Sequence, residues 1–251
     1  MSKAFVAYIM GGTQFIDELK VLDDIGADYV EIGIPFSDPV ADGPIIKAAG
    51  ERAIQEGMTL KKVLNQLRAH RHEIKTNLIL MTYAHMIETY GEAAFMEEID
   101  MLGIYGVIIP DMPFEYTEQL KARYPERKVH LISLVAMTAS EARMKAIAEK
   151  AEGFIYTVTM NQTTGQNGDF HPELKDNIKK LKAYTSIPIM AGFGIRDERQ
   201  IKDIIRIADG VIIGSEIVKR FHETGQHQTK LYLKHIRHVL NQAPCETIEH
   251  I

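Results

Sequence analysis

The feature that most constrains this chain is a rhythm: apolar, β-rich runs recur about eight times, each followed by a segment with helical periodicity. Strand candidates fall at residues 4–10, 27–34, 77–83, 106–111, 128–135, 153–159, 187–193 and 210–214. Amphipathic helices are expected at 16–25, 45–55, 60–67, 93–102, 117–123, 141–151, 174–182 and 200–207. Several strands are nearly continuous apolar runs, as in Val107-Ile108-Ile109, Ile187-Pro188-Ile189-Met190 and Val211-Ile212-Ile213. A strand with one wet face would alternate, so these runs point to a parallel sheet covered on both sides. Alternating β and α elements, at roughly 30 residues per unit, predict an α/β fold: a (β/α)8 TIM barrel spanning residues 1–251 as one domain. A doubly wound open sheet is the structural alternative. After Ser215 a helix is expected, then a second near residues 230–240, while residues 243–251 read as a frayed tail.

Composition narrows the function classes. With 45% hydrophobic and 25% charged residues, a chain of 251 residues can bury a large core. The net charge is −5 and no Lys/Arg run exceeds a pair, which argues against nucleic acid or an anionic membrane as partner. The single cysteine, Cys245, excludes an intrachain disulfide and fits a reducing compartment. The apolar run behind Met1-Ser2-Lys3 is too short for a secretory signal or a membrane span, so a soluble, cytoplasmic protein is expected.

One carboxylate stands where a carboxylate is costly. In the second strand, Val30, Ile32 and Ile34 share one face, and Tyr29, Glu31 and Gly33 share the other. In a barrel the aliphatic set should meet the helices, which turns Glu31 into the lumen. Desolvation there raises a carboxyl pKa towards neutrality, which suits a group that must both give and take a proton. The competing explanation is a structural ion pair, with Lys128 and His130 the nearest basic candidates on the strands. The loop that follows, Phe36-Ser37-Asp38-Pro39-Val40-Ala41-Asp42-Gly43-Pro44, adds two acids at the rim. Asp42 has an ordinary alternative as a helix N-cap.

Glycines mark a possible anion site. Gly192-Phe193-Gly194 follows the seventh strand and Gly214-Ser215-Glu216 the eighth, where barrels frequently hold phosphate on backbone amides. Thr163-Thr164-Gly165, after the sixth strand, offers a third arm. The ten histidines show no metal-ligand spacing, and neither Ser133 nor Ser215 has a His/Asp arrangement at nucleophile-elbow spacing. Tyr8, Met81, Tyr83 and Phe193 read as core or pocket lining.

The block Glu31-Ile32-Gly33-Ile34-Pro35-Phe36-Ser37-Asp38-Pro39-Val40-Ala41-Asp42-Gly43-Pro44 resembles the signature of the tryptophan synthase alpha subunit family. Pro110-Asp111-Met112-Pro113, Gly153-Phe154-Ile155-Tyr156, Thr164-Gly165, Gly192-Phe193-Gly194-Ile195 and Gly214-Ser215 are similar to the remaining blocks, in order. The resemblance implies retro-aldol cleavage of indole-3-glycerol phosphate to indole and glyceraldehyde 3-phosphate, without metal or organic cofactor in this chain. It implies Glu31 as the proton-transfer group, Asp42 as acceptor of the indole N–H, and Tyr156 beside the glutamate. Gly165, Gly194, Gly214 and Ser215 match phosphate-contacting positions; Tyr8, Met81, Tyr83, Leu134 and Phe193 match the indole pocket. The implied partner is a pyridoxal-phosphate beta subunit in an αββα complex, with Asp38, Pro39 and Thr164 in the loops that close the site and communicate with it.

Three departures accompany the match. Many relatives begin with an extra helix, whereas here Ala4 enters the first strand almost at once, so the barrel bottom must be capped otherwise. Thr159-Met160-Asn161-Gln162-Thr163-Thr164-Gly165 differs from the usual loop after the sixth strand, and His85 replaces a common asparagine.

Overall fold

Hydrogen bonding follows the sequence rhythm. The structure is a computed structural model that describes residues 3–159, 173–192, 194–195 and 197–242. Its strands are β1 (Ala4–Met10), β2 (Tyr29–Gly33), β3 (Asn77–Met81), β4 (Gly106–Ile108), β5 (His130–Leu131), β6 (Ser133–Val135), β7 (Ile155–Val158), β8 (Ile189–Gly192) and β9 (Gly210–Ile213). The helices are α1 (Phe15–Asp24), α2 (Pro44–Gln55), α3 (Leu60–His70), α4 (Ala84–Tyr90), α5 (Glu92–Met101), α6 (Phe114–Arg123), α7 (Glu141–Glu149), α8 (Leu174–Tyr184), α9 (Glu198–Ile205) and α10 (Ser215–Asn241).

Every strand pair is parallel, and the order is β5-β4-β3-β2-β1-β9-β8-β7-β6. The two ends of that order, β5 and β6, are successive pieces of one extended segment. Ile132 joins them and donates its N–H to Val107 O at 2.9 Å. The sheet therefore closes on itself and the open-sheet alternative falls. The expected fifth strand is one strand interrupted at Ile132, because its first half pairs with β4 and its second with β7.

Side-chain alternation divides the core. Phe5, Ala7, Val30, Ile32, Leu78 and Leu80 pack under the helices. Val6, Ile79, Ile108, Ile132, Met190 and Ile212 fill the lumen. At the N-terminal ends of the strands an aromatic cluster plugs the barrel. Tyr29 lies 5.0 Å from Tyr105 and 5.4 Å from Phe154, and Tyr105 meets His130 edge-on at 4.8 Å. Such pairs add about 0.5–1.5 kcal/mol each beyond burial. This plug closes the N-terminal end of the barrel.

Some boundaries differ from expectation. β4 stops at Ile108, short of residue 111, because Pro110 has no N–H for a ladder and the chain turns, Met112 N–H bonding Ile109 O at 3.1 Å. α4, which periodicity alone does not announce, starts where the Ala84 N–H donates to Asp111 at 3.0 Å and ends at Gly91, whose φ is 96°. The two helices expected after Ser215 are both present, since α10 is broken at Gly225, whose backbone (φ 73°, ψ 177°) is non-helical. The tail at 243–251 lies outside the described residues.

Candidate active site

β2 delivers Glu31 to the lumen, level with Tyr8 on β1 and Ile79 on β3. Its side chain is 1% exposed, and Oε2 has no hydrogen-bond partner. No Lys or Arg among the described residues forms an ion pair with it. Lys128 is exposed and His130 belongs to the aromatic plug at the other end of the barrel, so the structural-bridge explanation fails. Burial first, then the charge of Asp42, pushes the Glu31 carboxyl up to about 8. At neutral pH it is a carboxylic acid with a proton to give.

Asp42 sits across the mouth, at the end of the loop after β2. α2 is capped by Gly43 with Pro44 in its first turn and no side-chain cap, so Asp42 is not spent on a helix terminus. Partial burial raises Asp42 to about 6. The two carboxyls thus have separated titrations, leaving a window in which one is protonated and the other charged.

Two tyrosines flank the pair. Tyr8 crosses Gly33 so closely that a Cβ there would meet its hydroxyl at 1.9 Å, and Tyr156 crosses Gly192, where a Cβ would meet its hydroxyl at 2.7 Å. Gly33 and Gly192 are thus needed for the close approach of these rings. Burial, followed by the charges of Asp42 and Glu31, holds Tyr8 well above an ordinary phenol; burial, then Glu31, then Asp42, does so for Tyr156. Both remain neutral hydroxyls.

These groups line a cavity of about 800 Å³ at the C-terminal ends of the strands, and Met81, Leu134, Gly194, Gly214 and Ser215 line it too. Gly194 has φ 78°, a backbone that favours glycine, and Gly214 precedes the first turn of α10. The α10 N-terminus therefore presents main-chain N–H groups to one side of the mouth. Tyr83 does not line the cavity. As the chain turns into α4 its ring stacks on Phe36 at 4.7 Å and its hydroxyl accepts the Ala41 N–H at 3.4 Å, supporting the loop that carries Asp42. Asp38 is exposed and Pro39 half-buried on that loop, both off the cavity wall. Thr164, Gly165 and Phe193 lie outside the described residues. Sequence reasoning missed Ile46, Met112, Phe114, Arg143 and Lys219 on the wall. All stand on helices or loops, where no strand alternation reports direction. Two of the histidines serve on helix surfaces: His70 bonds Glu73 at 2.7 Å and His235 bonds Glu198 at 2.8 Å.

A buried, unpaired glutamic acid and a second carboxyl facing it across a barrel mouth are the features the signature block would build. The family model described as tryptophan synthase alpha chain matches residues 1–244. The chain belongs to the tryptophan synthase alpha chain family. It is 56% identical over 241 residues to the Staphylococcus saprophyticus tryptophan synthase alpha chain, covering 96% of this chain and 100% of that one. The Staphylococcus aureus alpha chain is 52% identical over the same length. Among solved structures, tryptophan synthase subunit alpha from Legionella pneumophila superimposes with a TM-score of 0.85 at 31% identity, covering 95% of this chain and 92% of that one. Mycobacterium tuberculosis tryptophan synthase gives 0.87 at 28%, covering 96% and 93%. As an alpha chain, it cleaves indole-3-glycerol phosphate to indole and glyceraldehyde 3-phosphate and has a beta-subunit partner.

Proposed function

We propose that Glu31 and Asp42 together carry the retro-aldol step. The single observation behind this is a carboxyl with 1% exposure and an unpartnered oxygen at the inner end of β2. Glu31, protonated at rest, delivers its proton to the indole ring carbon that bears the glycerol chain. The ring becomes a cation, and Asp42, ionised, accepts the indole N–H and stabilises that charge. Glu31, now a carboxylate, takes the proton of the adjacent glycerol hydroxyl as the carbon–carbon bond breaks. The bonding pair returns to the ring, the hydroxyl carbon becomes the aldehyde, and Glu31 ends protonated again. The charge on Glu31 exists only between the two transfers. Tyr156, a neutral hydroxyl beside the carboxyls, orients Glu31.

Gly194, Gly214 and Ser215 hold the phosphate on main-chain N–H groups, supported by the α10 N-terminus and the open backbone at Gly194; Gly165 is a further contact by resemblance. Tyr8, Met81 and Leu134 form the indole pocket within the described residues, and Phe193 adds to it by resemblance. Asp38, Pro39 and Thr164 belong to the loops that meet the beta subunit in an αββα complex. This chain needs no organic cofactor for the step written above, and pyridoxal phosphate belongs to the beta subunit. The chain works as one domain in the cytoplasm, consistent with its lone Cys245 and with the absence of any long apolar helix that could cross a membrane among the described residues.

Glu31→Gln is the test. It keeps the shape and removes the transferable proton, so substrate binding persists while indole release falls at least 10²- to 10⁴-fold, the usual worth of general acid–base catalysis (roughly, by analogy). Near-normal turnover would refute the assignment.

A further inference from the structure

Glu216 is an acid on the wrong side of an anion site. It is the second residue of α10, and it lines the cavity beside Gly194, Gly214 and Ser215. A carboxylate in the first turn of a helix is drawn to the same unpaired N–H groups that attract an anionic ligand. Folded onto them, Glu216 would fill the place assigned to the phosphate and repel it. The carboxylate goes elsewhere. Among the described residues its one hydrogen-bond partner is Arg220, whose Nε–H donates to Oε1 at 2.6 Å. Arg220 stands one turn further down α10, off the cavity wall, so the pairing draws the acid away from the helix start. Lys219, the neighbouring cation, pairs outward with Glu223 at 3.9 Å instead.

An exposed i,i+4 ion pair is ordinarily worth little and holds little still. This one is anchored. The Glu216 and Arg220 side chains are only 18% and 34% exposed, and the guanidinium carbon lies 3.9 Å from the centre of the Tyr232 ring. In a straight helix residues 220 and 232 would stand about 18 Å apart. The non-helical backbone at Gly225 folds the second half of α10 back and lays the ring over Arg220. Tyr232 Oη is buried with no hydrogen-bond partner among the described residues, so packing and the ring face hold this side chain in place. A planar guanidinium fixed on a ring is already oriented for its carboxylate.

We propose that Arg220 is a positioning residue for phosphate binding: by holding the Glu216 carboxylate one turn down the helix, it keeps the first N–H groups of α10 free for the ligand. This rests on the phosphate site proposed above.

The test is steady-state cleavage of indole-3-glycerol phosphate by the full chain, with inorganic phosphate as a competing probe. Arg220→Met keeps an unbranched stem and removes the charge. It is expected to raise the substrate KM and the phosphate inhibition constant together, roughly three- to tenfold at low salt, with kcat unchanged. The effect shrinks as salt is added. Glu216→Ala alone leaves KM within about twofold of wild type, and combined with Arg220→Met it restores KM to that range. The rescue decides the matter. Neither lost packing nor a lost direct pull of Arg220 on the phosphate is repaired by deleting the acid. An unchanged KM in Arg220→Met, or a raised KM that Glu216→Ala fails to restore, overturns the proposal. If Arg220→Met does not fold, Tyr232→Leu, which loosens Arg220 and leaves both charges, must raise KM and be rescued by Glu216→Ala, or the proposal is likewise overturned. Gly194→Val separates the two readings. If it leaves KM unchanged and inorganic phosphate does not compete in the wild type, the phosphate placement fails and takes this role of Arg220 with it. If Gly194→Val raises KM and Arg220→Met does not, the role of Arg220 alone falls.

Discussion

At Glu31 the cost of burial and the need for a proton coincide. Because Asp42 is raised to about 6 and Glu31 to about 8, the productive pair, one charged and one protonated, prevails between those values. The pH profile of kcat/KM is therefore predicted to rise through about 6 as Asp42 ionises and fall through about 8 as Glu31 does, as two apparent steps of a coupled pair. A flat profile across that range would contradict the assignment. The same shift predicts a stability effect of defined sign. A carboxyl whose folded pKa is raised from 4.5 to about 8 supports the fold fully below the lower value and loses that support as pH rises to the upper one. Glu31→Gln should thus be more stable than wild type by on the order of 5 kcal/mol above pH 8, with the gap vanishing below pH 4.5, read by denaturant melts at several pH values. Glu31 was legible in the sequence because strand alternation gives direction to every side chain. Asp42 was legible only through its place in the signature block, since by local pattern an acid before Gly-Pro fits a helix cap equally well, and the cap at Gly43 removes that explanation.

At the scale of elements, periodicity located the barrel but not its interruptions. β1 matches its expected span, whereas β4 is cut short by Pro110 and the fifth strand is divided at Ile132 by a change of partner. Pairing partners are a tertiary property, and no local pattern carries them. Tyr83 shows the same limit: its type suits a pocket, but the turn into α4 aims it at Phe36. The aromatic plug and the mouth are opposite ends of one barrel, which separates stability from function. Phe154→Ala, at a fully buried ring, should cost about 3–5 kcal/mol in a chemical melt while leaving the pH profile of activity in place. Gly194→Val acts the other way. A β-branched residue at φ 78° is strained and narrows the anion site, so substrate KM should rise; an unchanged KM argues against phosphate at that loop.

For the whole molecule, the loop after β2 is proposed to carry both chemistry and contact surface. Asp42 faces the cavity, while Val40, two residues earlier, is 70% exposed and apolar. On that proposal, the loop would couple a partner's binding to the position of the Asp42 carboxyl without any long-range path. Val40→Asp is predicted to weaken assembly with the beta subunit at least tenfold by calorimetry, with the melting temperature of the isolated chain unchanged. Retained affinity would place the interface elsewhere.

The central claim is that Glu31 holds its proton at neutral pH. Its most direct test is a ¹³C titration of glutamate carboxyls in the isolated chain, assigned by the resonance that disappears in Glu31→Gln. Glu18 on α1, raised to about 7, is the other glutamate expected to titrate late, so this assignment is essential. A Glu31 signal that stays in the carboxylic-acid form through pH 7 and titrates near 8 is the predicted result. A Glu31 carboxylate already formed by pH 5 would contradict it.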